Sequence, residues 1–438
     1  MDKYPLIRKS FAVGIILIFL GTCIIPSTAM NKEKPVPLPI SKRWMKTFGG
    51  NNSDSGHSVR QTSDGGYIVV GPTFSFGAGT ADFWVIKTDS NGNKQWDKTF
   101  GGLYWDIPDD VKITNDKGFI ITGRTHSFGA GNIDVWVLKL DETGNVQWNK
   151  TYGTQVDEGG LESQQTTDGG YIIVGSRSLT AFGGFDALLI KIDGDGNEQW
   201  NRTYGGRLED YGYSVQQTSD GGYIVAGGYG NYEINLTDFW LFKTDEHGTM
   251  QWNRTYGSSH YDRAYSVEPT SDGGYIIIGT KNLGESPDIW VIKTNQYGDE
   301  QWNKTYGGIM DDYGYEAYQT RDGGYIMIGT TSSYGAGEDD AWMIKTDAYG
   351  DEQWNKTYGG KSFDGGYALN QTMDGGYIIT GYTMSFGKDA HSGDLWLIKT
   401  DGQGRSKTTS LDNLWFERLF QRFPHAFPIL RHFWNGEV

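Results

Sequence analysis

One cysteine, Cys23, occurs among the 438 residues. A single thiol allows no internal disulfide and no cysteine-built metal site. An excess of positive charge is missing too. Lys and Arg number 38 against 54 Asp and Glu, a net charge of −16, so the basic footprint that nucleic-acid binding needs is absent. The seven histidines (His57, His126, His247, His260, His391, His425 and His432) form no His-Glu-x-x-His or His-x-His pair. Neither a Gly-x-Ser-x-Gly elbow nor a phosphate-cradling glycine loop is present. These gaps remove the familiar signatures of zinc hydrolases, serine hydrolases and nucleotide-binding enzymes. Acids are plentiful, so a glycoside hydrolase working with two carboxylates stays open.

A long apolar run occurs at the amino terminus, where Lys3, Arg8 and Lys9 precede the mostly apolar Phe11 to Ile25 and then Pro26, Ser27, Thr28 and Ala29. This order of charge, apolar stretch and small residues reads as a signal peptide over 1–29. The apolar part is short for a spanning helix. Cys23, after Leu20-Gly21-Thr22, is a weaker, lipid-bearing alternative. Pro35, Pro37 and Pro39 mark an extended linker over 30–42. Secretion or display at the cell surface is the expectation.

What is abundant is glycine and aromatics: 64 Gly, 27 Tyr and 16 Trp. Glycine is costly in helices and aromatics are scarce in disordered chains, so many short strands joined by tight turns are indicated. The segment KTDSNGNKQWDKTFGG (87–102) returns as KTDAYGDEQWNKTYGG (345–360). Its Trp falls at Trp44, Trp96, Trp148, Trp200, Trp252, Trp302 and Trp354, nearly always 52 residues apart. Seven units follow. Each reads as four strands: a short mixed one, an SDGG turn, two strands apolar on both faces, and an alternating QWNKTY strand. Buried middle strands with a half-wet outer strand describe a blade packed between two neighbours.

In the SDGG turn the Gly next to the Tyr is kept in all seven units, whereas the other is Lys117 in the second. The kept Gly is therefore expected at the positive-φ position. The first unit opens with an orphan fourth strand, RWMKTFGG (43–50), and the last ends after its third. Joining them closes a ring without a loose edge. The expected fold is all-β: a seven-bladed β-propeller of four-stranded antiparallel blades over 43–404, closed by the amino-terminal strand.

The run TYGG, then Asp-x-Gly, a short strand, DGGY and Gly-Thr resembles the SBBP-type β-propeller repeats of bacterial and archaeal secreted and surface proteins. The resemblance covers nearly the whole chain after the leader; Leu188 in place of a third-strand Trp is a mild departure. It implies extracellular display and interaction, and it carries no catalytic residues.

Propeller geometry gathers the loops entering the first and third strands on one face. An acid enters each first strand: Asp54, Asp106, Glu158, Asp210, Asp262, Asp312 and Asp364. Another enters each third strand: Asp82, Asp134, Asp186, Asp238, Asp288, Asp340 and Asp394. As hard oxygen ligands the first set would hold Ca²⁺ between loops; as turn caps they would accept backbone N–H bonds instead. Aromatic loop tips, Phe76, Phe128, Phe182, Tyr334 and Phe386, would grip a glycan or protein ligand, or close the blade core. N-x-S/T sequons at Asn149, Asn201, Asn253, Asn303 and Asn355 on the outer strands are glycosylation candidates. After Lys407, Leu411, Leu414, Trp415, Leu419, Phe420 and Phe423 recur at helical spacing until Pro424. This basic, aromatic tail (405–438) is expected to be partly helical and to meet the propeller, a membrane surface or a partner. A monomeric, non-catalytic binding or adhesion module is the expectation, with a polysaccharide hydrolase or a structural envelope protein as alternatives.

Overall fold

The computed structural model describes residues 42–406 apart from 179–183, 207, 232–235, 258–259, 283, 285 and 389–391. The leader, most of the proline segment, Phe182 and the carboxy-terminal tail lie outside the described residues.

Seven four-stranded antiparallel sheets form the propeller. The first blade shows the logic. Its innermost strand β2 (Ser58–Gln61) is followed by β3 (Tyr67–Thr73) and β4 (Asp82–Thr88), both buried along their whole length, and by β5 (Lys94–Phe100), which is partly open to solvent. Apolar, β-branched strands such as YIVVGPT and DFWVIKT hide both faces against neighbouring blades. Each of seven apolar clusters joins two adjacent blades. The one that closes the ring packs Trp44, Leu395, Leu397 and Ile378 of the last blade on Val59, Tyr67, Val69 and Trp84 of the first.

Closure occurs where the sequence places it. Strand β1 (Trp44–Phe48) pairs antiparallel with β28 (Asp394–Thr400), from Trp44 opposite Lys399 to Phe48 opposite Leu395. That register copies Trp96 opposite Lys87 and Phe100 opposite Phe83 within the first blade.

The turn between the first two strands corrects the glycine assignment. The positive φ belongs to the first Gly of the pair, Gly65 (81°) in the first unit, and to Lys117 (67°) in the second, the only such non-glycine among the described residues. The kept Gly has a different reason. A Cβ on Gly66 would overlap the Thr88 carbonyl oxygen and crowd the Lys87 ammonium. That ammonium is buried, donating to the Thr88 carbonyl (2.9 Å), Gln95 (3.1 Å) and Asp64 (2.8 Å). The arrangement recurs in all seven units, from Lys87–Asp64 to Lys399–Asp374.

Candidate functional site

The loop face carries the predicted acids, and the fold gives them structural work. Asp54 accepts the Gly50 N–H (2.9 Å), the Ser75 hydroxyl (2.7 Å) and the Thr73 hydroxyl. Asp106 and Asp364 repeat this with Gly102 and Thr125, and with Gly360 and Thr383. Glu158 takes the Thr154 N–H and hydroxyl and pairs with Arg177. Asp210 takes Gly206 and Gly230, Asp262 takes Asn282, and Asp312 takes Gly308 and Ser333. All seven are buried, bonded mainly to the loops of their own blade. Among the described residues no group of three or more His, Cys, Asp or Glu is arranged to hold a metal.

The third-strand acids differ. Asp82 Oδ2 accepts from Ala78 (2.6 Å) and Gly79 (3.2 Å), whereas its Oδ1 is buried and unpartnered. It lies against Gly101, beside Asp106 of the next blade. Two carboxylates thus meet across the seam. Burial raises Asp82, with backbone bonds opposing and Asp106 adding. Burial with Asp210 nearby pushes Asp186 up to about 6.

Phe76, Phe128, Tyr334 and Phe386 lie half-exposed on the third-strand Trp rings Trp84, Trp136, Trp342 and Trp396, at centroid distances of 5.2, 5.2, 5.1 and 5.5 Å. They pack tilted on the Trp rings, capping the blade core, and stay partly open to solvent. In the fourth blade Tyr229 does this on Trp240, and in the fifth the Lys281 ammonium lies 4.2 Å from the Trp290 ring centre. The loops between blades add a set that the repeat landmarks did not show: Leu103, Tyr104, Trp105, Ile309, Met310 and Phe363 are exposed there. Serine bonds tie these loops to the aromatic-tip loops, as in Tyr104 N–H to Ser127 and Met310 N–H to Ser333.

The sequon residues Asn149, Asn201, Asn253, Asn303 and Asn355 are all exposed on outer strands. Asn303 and Asn355 also accept the indole N–H of Trp290 (3.2 Å) and Trp342 (3.3 Å).

The central channel is where the blades cease to be alike. The innermost strands are β2, β6 (Asp106–Ile113), β10 (Glu158–Gln165), β14 (Tyr211–Gln217), β18 (Asp262–Pro269), β22 (Asp312–Gln319) and β26 (Asp364–Gln371). In the last six a bulge leaves one residue unpaired, Tyr213 in the fourth. A bulge breaks the two-residue alternation, so two successive side chains per blade line a cavity of about 130 Å³. The first of each pair reads His57, Asp109, Leu161, Tyr213, Tyr265, Tyr315 and Tyr367; the second, Ser58, Asp110, Glu162, Ser214, Ser266, Glu316 and Ala368. Neighbouring rings in the tyrosine arc stand 5.2, 5.8 and 5.3 Å apart.

Below the arc the polar side chains stitch blade to blade. Asp110 accepts Ser163 N–H, Glu162 accepts Val215 N–H, and Glu316 accepts Leu369 N–H. Arg60 bridges Glu316 (3.3 Å) and Asp110 (3.7 Å), and Lys112 bridges Glu162 (2.6 Å) and Asp110 (3.2 Å). Glu268 accepts from Gln216 (3.0 Å); burial and the nearby Glu162 and Glu316, opposed by Lys112 and Arg60, push it up to about 8. At the upper level burial, opposed by Arg124 and aided by Asp110, pushes Asp109 up to about 6. Burial and Arg124, opposed by the bond to the Pro108 carbonyl, bring His57 down to about 4. The imidazole is therefore neutral at pH 7.

The site defines a propeller with a polar, tyrosine-lined axis. No family model matches the chain. The regulatory protein FlaEY of Caulobacter vibrioides is 24% identical over 204 residues, 40% of this chain and 21% of that protein. The match thus spans about a fifth of that relative's length. Among solved structures, a copper-bound fungal alcohol oxidase of the AA5 family superposes with a TM-score of 0.51 at 13% identity, over 84% of this chain and 79% of that one. Sqt1 of Chaetomium thermophilum, bound to the N-terminus of ribosomal protein L10, gives 0.48 at 11% identity, over 82% and 100%. The likeness to the oxidase concerns the fold alone.

Proposed function

We propose that this propeller is a non-catalytic binding module, working outside the cell as a monomer, that takes its ligand on the loop face around the channel mouth. The observation that carries the reading is the set of exposed apolar side chains on three inter-blade loops, Leu103 to Trp105, Ile309 with Met310, and Phe363, on the face where the innermost strands begin. Exposed apolar groups clustered beside convergent polar ones mark ligand surfaces. Their dispersion over several loops suits a polypeptide segment. A glycan is the second reading, favoured by the half-exposed rings of Phe76, Phe128, Tyr334 and Phe386. Secretion through the 1–29 leader, membership of the SBBP-type repeat family and glycosylation of the exposed sequons belong to the same proposal. A Ca²⁺ ion enters it through the third-strand acids at the blade seams, such as Asp82 with its unpartnered Oδ1, because loop N–H and hydroxyl groups already occupy both oxygens of first-strand acids such as Asp54 and Asp106.

Panning the immobilised propeller against a displayed random-peptide library, beside a glycan array, tests the reading. Selected peptides should lose binding to the Trp105→Glu and Ile309→Glu variants. Failure of both libraries, or binding untouched by these substitutions, overturns it. Reducing-sugar release from an array glycan would overturn the non-catalytic part. Melting that is the same with Ca²⁺ and with EDTA would remove the metal.

A further inference from the structure

The four channel tyrosines occupy consecutive blades at the loop-face end of the innermost strands, where three other blades place His57, Asp109 and Leu161. Nothing in blade packing demands this difference, since Leu161 serves the same bulge position. The rings are half-buried and tilt against their neighbours by 59°, 47° and 88°, so the arc shows both faces and edges to the cavity. A ring face carries the negative lobe of the aromatic quadrupole and attracts cations. The protein already uses this at one end of the arc, where the Arg263 guanidinium lies 5.6 Å from the Tyr211 ring centre.

Across the cavity stands Asp109. Its Oδ1 faces Arg124 (3.5 Å) and His57 Nδ1 (3.8 Å), while its Oδ2 is buried without a hydrogen-bond partner among the described residues. A buried carboxylate oxygen left unpaired is costly, and a charged donor from outside would relieve it. The wall beneath adds Asp110, Glu162 and Glu316, and the cations there, Arg60 and Lys112, are spent bridging those acids. Acids therefore outnumber cations. A carboxylate or phosphate ligand would meet mostly acids; a compact cation would meet ring faces and a carboxylate with one oxygen unpaired.

We propose that the loop-face end of the channel is an ammonium-binding cage, in which Tyr213, Tyr265, Tyr315 and Tyr367 supply ring faces and Asp109 the counter-charge. The shared chemistry is an alkylammonium, carried by a lysine side chain of a bound polypeptide or by a free quaternary amine. The lysine form rests on the binding reading above and specifies what its ligand must present.

Calorimetric titration of the full chain with choline, and with its uncharged tert-butyl isostere, tests the cage directly. Choline should bind and the isostere should not. Tyr315→Phe, which keeps the ring, should stay within about twofold, and Tyr315→Leu should weaken binding by about tenfold. Asp109→Asn, nearly isosteric, should also weaken it severalfold while leaving the melting temperature in place. Equal uptake of choline and isostere, no uptake of either, or wild-type affinity in both Tyr315→Leu and Asp109→Asn overturns the cage. Peptides selected on the loop face separate the two claims. Those that bind equally with acetylated lysines refute the cage and leave the binding module standing. Choline uptake without any peptide or glycan binder keeps the cage and refutes the wider reading.

Discussion

Trp44 is the side chain on which ring closure most depends, and Trp44→Ala should show it. Strand β1 is the one outer strand whose blade reaches it only through space. Trp44 is 9% exposed, meets Tyr67 edge-on at 5.6 Å, and donates from Nε1 to the Ser90 carbonyl at 3.2 Å. Both contacts belong to the first blade, while its backbone pairs with Lys399 of the last. Burying a Trp hides roughly 150–250 Å². At about 25 cal/mol per Å² this is on the order of 4–6 kcal/mol, an upper bound, and large-to-small core changes at Trp cost about 3–5 kcal/mol. Trp302 holds the same place in the fifth blade but is less buried, and its strand is tied to its sheet by a hairpin. Trp302→Ala should therefore cost less, about 1–2 kcal/mol by its partial burial. Urea unfolding followed by fluorescence gives both values, and limited proteolysis reads the seam. Trp44→Ala should shift the midpoint further and expose the segment before β2 to cleavage. Equal midpoints for the two variants, with that segment still protected, would refute the reasoning.

Lys117→Gly should stabilise the second blade by about 0.5–1 kcal/mol, because it removes a left-handed conformation from a residue with a Cβ. Gly118→Ala beside it should cost more than about 2 kcal/mol, since its Cβ would overlap the Leu140 carbonyl; thermal melts of the pair decide, and reversed signs would refute the corrected turn. Burial alone would raise Asp64, Asp116, Asp168, Asp220 and Asp272, but bonds from the paired lysine, a threonine hydroxyl and a glycine N–H hold each at about 2. Since unfolded Asp titrates near about 4, the folded chain binds fewer protons between these values. Stability should then fall as pH drops through that window, each pair contributing little because its carboxylate is half in solvent; acid titration of Asp272→Asn against the parent should show a shallower fall. Glu268, flanked by Arg60, Lys112, Glu162, Glu316 and Tyr318, has the opposite sign. Raised to about 8, it costs stability as pH climbs from about 4 towards that value, so Glu268→Gln should gain melting temperature at alkaline pH and change little in mild acid.

The architecture was legible because blade packing repeats its demands at a fixed interval. Trp at 52-residue spacing, apolar middle strands and the orphan RWMKTFGG define the blade count and the seam. The channel was not legible for a specific reason. The bulge puts Tyr213 and Ser214 on the same side, so an eye trained on strict alternation sees only a short mixed strand. The glycine error has a similar root. Gly66 is kept because a carbonyl and an ammonium crowd it, whereas its neighbour has the unusual φ and can still become Lys117. Retention reported a steric limit, not a dihedral angle. The loop acids were visible as a pattern, but whether their oxygens faced solvent or their own N–H groups depended on loop closure that spacing does not encode.

What separates structural from functional positions here is where the seven units part company. Lys87, Asp64, Asp54 and Trp84 have counterparts in nearly every blade, and each serves its own sheet or its seam with the next. The bulge pair does not repeat: tyrosine four times, then histidine, aspartate and leucine, over serine, alanine and three acids. A ring of equivalent blades gives the axis no reason to be lopsided unless something on that axis is lopsided as well. The tyrosines lie on one side of the cavity and the Asp109 carboxylate on the other, which orients whatever enters between them.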